Sequence, residues 1–314
     1  MKGLIFMGLF PNYTKPGPGV DKDAPKKKGF FLFWEIVFRK FTKLLSANAM
    51  YSLCSIVYLA VLYIFAPVNM FVESFTEVMV GVENAEDIMQ FLFRSLFALS
   101  VFNLWGCPPV AAPYAYVTRC FTKGEHTWLI SDGWNQFKSN LKQSVPLFIL
   151  DILILIVSSA DLIFYSTMQA SGSYNMLWQF LGALIVMVLI VYTLMHYYIY
   201  QIMVTYECTF AQLLKNAAIC AVADLPMAVV LTILGFGINF ALFMIINPAV
   251  IILFDLIVGL CITRYPMEFH AARMLEKNMS RLEKNSVSKA GGAKITYLDE
   301  EDGENLYESE DDSE

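Results

Sequence analysis

Charged side chains are scarce in this sequence: 16% of its 314 residues are Asp, Glu, Lys or Arg, against 57% hydrophobic. Soluble chains average about 25% charged residues, so this one could not cover its own core with water-facing surface. That excludes an ordinary soluble enzyme, a disulfide-rich secreted domain and a disordered scaffold. Histidine is rarer still. His126, His196 and His270 lie far apart, with no metal-ligand spacing. The six cysteines form no CxxC pair and none falls in an expected outer loop, so no structural disulfide is expected. There is no GxSxG, HExxH or Walker-type phosphate loop. These absences argue against an ATPase and against an enzyme of any kind. No cofactor, metal site or nucleic-acid partner is expected.

What is present is apolar sequence in long runs. The runs cover 48–66, 95–118, 145–167, 177–203, 225–245 and 249–264, and all but the last approach the ~20 residues that cross a hydrocarbon core. The expected fold is therefore all-α, a polytopic membrane bundle of about six transmembrane helices. Segments 67–93, 168–176 and 246–248 contain no Lys or Arg. The alternate connections hold Arg119, Lys123, Lys138, Lys142 and Lys215, and both ends of the chain are basic around the spans. Basic loops stay cytoplasmic, so six spans with both termini inside fit every connection. Residues 1–28 read as a cytoplasmic leader and linker, 29–285 as the membrane domain, and 286–314 as a tail. Ten of the 28 acids lie between Asp299 and Glu314, a composition expected to be disordered.

Amphipathic stretches flank the spans on the cytoplasmic side. Residues 29–45 mix aromatics with Arg39, Lys40 and Lys43, as suits an interfacial helix. In 125–143, Ile130, Trp134, Phe137 and Leu141 form one stripe. In 209–217, Phe210, Leu213, Leu214 and Ala217 form another, with Thr209 as N-cap. Each of these two loops leads into a span through a proline, Pro146 or Pro226, with Ser144 and Asp224 placed as caps. The longest outer connection, 67–93, carries Glu73, Glu77, Glu83, Glu86 and Asp87. It reads either as an acidic hairpin for a cationic or sugar ligand or as a solvated loop.

Polar groups inside spans flag function, because an ionised side chain in lipid is costly. Arg94 and Asp161 lie near outer ends and can snorkel. Asp151 and Asp255 lie deeper and need a partner, a cavity or a proton. They read as proton or substrate carboxylates, or as hydrogen bonds that pack helices. His196, among Tyr192, Tyr197, Tyr198 and Tyr200, reads as part of an inner aromatic belt. The second span contains Asn103, Trp105, Gly106, Pro108, Pro109 and Pro113. Prolines free nearby carbonyls, and such a break at membrane depth is tolerated only where protein or a water-lined cavity satisfies them. It is a simple kink or a transporter-like discontinuous helix.

Two stretches carry a family likeness. One runs Asn103-Leu-Trp105, then Pro108-Pro109-Val110-Ala-Ala-Pro113 and on to Arg119. The other holds Gly124-Glu125-His126, Trp128, Phe137-Lys138 and Asn140-Leu-Lys142. Together they resemble the YesL-like family of bacterial integral membrane proteins, over roughly residues 30–280. That resemblance implies a non-enzymatic accessory or regulatory role in carbohydrate uptake, beside ABC-transporter subunits or a sensor kinase. It supplies no catalytic residues. The candidate substrate or partner contacts are Asn103, Trp105, Pro108, Pro113, Arg119, Glu125, Trp134, Phe137, Asp151 and Asp255. The alternative function is a secondary transporter of a small solute, using the broken second helix and the intramembrane carboxylates.

Overall fold

A computed structural model describes residues 29–76, 84–172, 175–245 and 248–289. The leader, the middle of the acidic outer connection and the acidic tail lie outside the described residues. Among those described there is no strand. The helices, in chain order, are α1 (Gly29–Arg39), α2 (Phe41–Cys54), α3 (Ile56–Ile64), α4 (Asn69–Thr76), α5 (Ala85–Leu104), α6 (Pro108–Lys123) and α7 (Leu129–Ala170). They continue with α8 (Met176–Met203), α9 (Phe210–Ala223), α10 (Leu225–Ile245), α11 (Pro248–Phe254), α12 (Leu260–Ile262) and α13 (Arg264–Lys289). A π-turn, Asp255–Gly259, joins α11 to α12.

The bundle is apolar outside and polar inside. Ile149, Leu153, Ile156 and Ile163 of α7 and Leu177, Phe180 and Met187 of α8 are exposed, while Asp151, His196, Gln201 and Glu268 are buried. Buried polar groups under an exposed apolar coat are the reverse of a water-soluble fold, and they suit a lipid solvent. Four helices are long and apolar enough to cross a membrane: α5, Leu129–Tyr165 of α7, α8, and Leu225–Leu242 of α10. A fifth crossing results if α2 and α3, which meet at 56°, act as one broken span. The stretch 249–264 is divided among α11, the π-turn and α12.

Several expected boundaries move. The second span, 95–118, is two helices: α5 begins ten residues earlier and stops at Leu104, and α6 starts afresh at Pro108. Pro108 sits at the first position of α6, where its missing N–H costs nothing. The described part of the outer connection 67–93 is largely helical, with α4 and the first turns of α5 inside it, and Glu86 and Asp87 lie at the positive end of the α5 dipole. Arg94 is half-buried and also bound to protein. Its Nη1 donates to the carbonyls of Ile64 (2.7 Å) and Tyr63 (3.2 Å), and so caps α3.

The loop helix 125–143 and the third span fuse into the 42-residue α7, which runs straight through Pro146. Ser144 therefore caps nothing; its hydroxyl lies 3.4 Å from Met203 Sδ on α8. Thr209 does cap α9, in a reciprocal capping box with Gln212. Asp224 ends α9, but its carboxylate is taken by Tyr198 and His270.

Helix α6 is the axis of the bundle. Ala111, Ala112, Tyr114, Ala115, Val117, Thr118, Cys120 and Phe121 are all buried, and α6 packs against α2, α7, α8 and α13. Its alanines let neighbouring backbones approach closely, which is how helices associate in lipid.

Candidate functional site at the helix break

The α5–α6 break places irregular backbone at the centre of the bundle. Trp105, Gly106 and Cys107 are buried, so lipid cannot satisfy their peptide groups and other helices must. The Cys107 N–H donates to Tyr51 Oη at 2.9 Å, and Tyr200 Oη donates to the Trp105 carbonyl at 2.7 Å. Gly106 takes φ +78°, a left-handed conformation open to glycine. A β-carbon there would lie 2.6 Å from Arg264 Nη1 and 2.7 Å from Tyr51 Oη.

The π-turn is a second irregular stretch, and it faces the first. Its freed carbonyls are met from α2: Ser52 Oγ donates to Leu256 O at 2.6 Å, and Asn48 Nδ2 to Ile257 O at 3.3 Å. Gly259 leaves room for the Asp255 carboxyl, which a β-carbon would strike. Asn103 Nδ2 then donates to Asp255 Oδ2 at 2.8 Å, tying the end of α5 to the π-turn. Thr263 Oγ1 lies 3.1 Å from Asn103 Oδ1. Beside them is a cavity of about 30 Å³ lined by Ser100, Asn103, Phe240, Asp255 and Met267. That is room for a water or two.

Below this lies a buried ion pair. Arg264 Nη2 donates to Glu268 Oε1 at 3.2 Å, and Gln201 Nε2 donates to Glu268 Oε2 at 2.7 Å. The guanidinium also faces the rings of Tyr200 and Tyr51, at 5.0 and 5.7 Å. Burial pushes the Glu268 carboxyl above its usual range, against the pull of Arg264 and the Gln201 hydrogen bond. On the α7–α8 side, Asp151 Oδ1 accepts from Tyr192 Oη at 2.5 Å and lies 3.1 Å from His196 Nε2. Trp105 stacks on the His196 ring at 5.3 Å and 9°. His196 is thus an interior group, not part of an interfacial belt, because the carboxylate beneath it is more attractive than the membrane surface.

The ten expected contacts fall into two groups. Asn103, Trp105, Pro108, Pro113, Asp151 and Asp255 are buried around the break. Glu125, Trp134 and Phe137 belong to a separate rim, and Arg119 lies on α6 on the way to it. There Lys40 Nζ donates to the Glu125 carbonyl at 3.2 Å and sits 4.5 Å over Phe121. Partial burial, with Arg39 and Lys43 alongside, lowers the Lys40 ammonium. Trp134 stacks on Phe137 at 5.4 Å and 8°, with Trp134 exposed.

Sequence reasoning missed Tyr51, Gln201, Arg264 and Glu268 as interior groups. Two signals were available: Asn48, Tyr51, Ser52 and Ser55 make a polar stripe at i, i+3, i+4, i+7, and Arg264 and Glu268 stand four apart on one helix face. Removing one of these partners tests the account. Tyr51→Phe leaves the buried Cys107 N–H without an acceptor and is expected to cost about 1–3 kcal/mol, read as a lower unfolding temperature in detergent with the helical content unchanged. Compared with known proteins, the chain matches no family model, no curated protein and no solved structure. What stands is a multi-pass helical membrane protein built around two mutually supported backbone breaks.

Proposed function

We propose that this chain is a non-enzymatic accessory or regulatory component of a carbohydrate-uptake system in a bacterial cell membrane, with six spans and both termini cytoplasmic. Its cytoplasmic rim is the surface for an ABC-transporter subunit or a sensor kinase. The observation that supports this reading is α7. At 42 residues it is about 63 Å long, twice a ~30 Å hydrocarbon core, so its N-terminal half stands clear of the bilayer. That half carries Ile130 and Trp134, both exposed, with the exposed Trp128 just before it, and it is continuous with the buried Asp151. A partner gripping the rim therefore holds the same helix that reaches the interior polar groups at Asp151. The peptide groups of the Gly106 break are taken by Tyr51 and Tyr200 rather than left for a solute, which favours a partner-binding role over transport. The likeness of 103–119 and 124–144 to the YesL-like family supplies the sugar-uptake context.

Affinity capture from solubilised membranes is expected to recover an ABC-transporter subunit or kinase with the wild-type chain. It should recover neither when Trp134 and Phe137 are both changed to serine. Undiminished capture with that variant rejects this surface. The transporter reading keeps one supporting observation, the small cavity against Asn103 and Asp255. Solute flux into proteoliposomes that falls with Asp255→Asn would favour it.

A further inference from the structure

Asp151 and His196 are both wholly buried, and donor–acceptor counting fixes how many protons they hold. His196 Nδ1 lies 3.0 Å from the Tyr192 carbonyl, which can only accept, so Nδ1 carries a hydrogen. His196 Nε2 lies 3.1 Å from Asp151 Oδ1. A hydrogen bond there needs one proton between them, on the imidazole or on the carboxyl. Two protons would clash, and none would set a carboxylate oxygen against a bare nitrogen lone pair. Oδ1 also accepts from Tyr192 Oη at 2.5 Å, and an oxygen serving two donors is carboxylate-like. The indole face of Trp105 stacked on the ring favours a cation.

We propose that Asp151 and His196 form a single-proton binding site within the membrane, and that this proton adds a second α7–α8 contact to the one made by Tyr192. The inference stands apart from the partner-binding reading above and does not need it. The surroundings are otherwise uncharged near the pair: Tyr192 and Tyr200 face it from α8, Trp105 and Cys107 from the break, and Tyr58 from α3 lies within electrostatic reach. The nearest full charge in this direction, Arg264 of α13, lies against the Tyr200 ring. Among the described residues no other carboxylate contacts the pair, so the proton has one place to bind. When it leaves to water, Oδ1 and Nε2 become two acceptors in contact, and the His196 part of the α7–α8 link is lost while the Tyr192 hydrogen bond to Asp151 remains. The second Asp–His–Tyr group, Asp224 with His270 and Tyr198, is partly exposed and serves as an internal comparison.

The test uses the full-length protein in lipid nanodiscs with 15N-labelled histidine. The chain has three histidines, so His126→Gln and His270→Gln assign the spectrum without touching the pair. Infrared difference spectra read the Asp151 carboxyl over the same pH range. The expected result at pH 7 is one shared proton, that is, a hydrogen on His196 Nδ1 together with one more on either Nε2 or the Asp151 carboxyl. Asp151→Asn should move the His196 Nε2 signal and leave the Nδ1 signal, which answers to the Tyr192 carbonyl, in place. If that variant does not fold, the wild-type proton count still decides. A pair holding no shared proton at pH 7, or a His196 Nε2 signal that Asp151→Asn leaves unmoved, overturns the proposal.

Discussion

Gly106→Ala is expected to cost about 2–5 kcal/mol and to yield a protein that unfolds well below the wild type in detergent. Two effects add. The left-handed backbone at φ +78° penalises a β-carbon by about 1–2 kcal/mol. The methyl also falls 2.6 Å from Arg264 Nη1 and 2.7 Å from Tyr51 Oη, so one of those buried groups must leave its partner, at about 1–3 kcal/mol. Gly237→Ala is the control. Its β-carbon meets nothing within 4 Å and its φ is not left-handed, and changes of this kind stay within about 0.5 kcal/mol. Thermal unfolding of the two variants side by side separates a strained break from a general intolerance of alanine. Equal loss in both would remove the Gly106 argument.

Arg264→Met is expected to destabilise by about 3–5 kcal/mol, because it strands Glu268 in the interior. Arg264→Met with Glu268→Leu should recover most of that loss, since replacing a whole buried pair by apolar groups is often neutral. A coupling energy near zero in this double-mutant cycle would mean that the 3.2 Å contact carries no weight. The pH dependence has a definite sign. Burial already raises the Glu268 carboxyl, and a raised acid favours the folded state most below its ordinary value and loses that advantage as pH rises through the folded one. Without Arg264 the carboxyl rises further. The single variant's deficit should therefore be smaller at pH 5 than at pH 8, and the double variant should show no such slope.

The Glu268 pair shows why this site was only partly legible in the sequence. Hydropathy marks what lipid touches, so a span with charges at its end reads as a span that has reached water. Arg264 stands where the last apolar stretch ends, and its basic charge agreed with a cytoplasmic boundary. Only the packing of α13 against α6 and α8 turns it inward. His196 misled for the same reason: four tyrosines around it imitate an interfacial belt, and the carboxylate that claims it lies 45 residues away. The proline break was legible, because missing donors and a glycine are local facts. What satisfies the break was not, since Tyr51, Tyr200 and Arg264 come from three other helices. The fusion of the 125–143 helix with the third span was hidden by Pro146, whose usual place at a helix start outweighed its tolerance at an exposed interior position.

The sequence by itself determined that the chain is helical, apolar on the outside and multi-pass, because charge scarcity and run length are properties of composition and local order. It also determined where the backbone must break, at Gly106 and its flanking prolines. Tertiary structure alone decided that the break is buried against protein, that a π-turn answers it across the bundle, and that Asp151 meets His196. Those pairings join residues far apart in the chain, and whether a polar group in lipid is a liability or a link depends on the partner that folding brings to it.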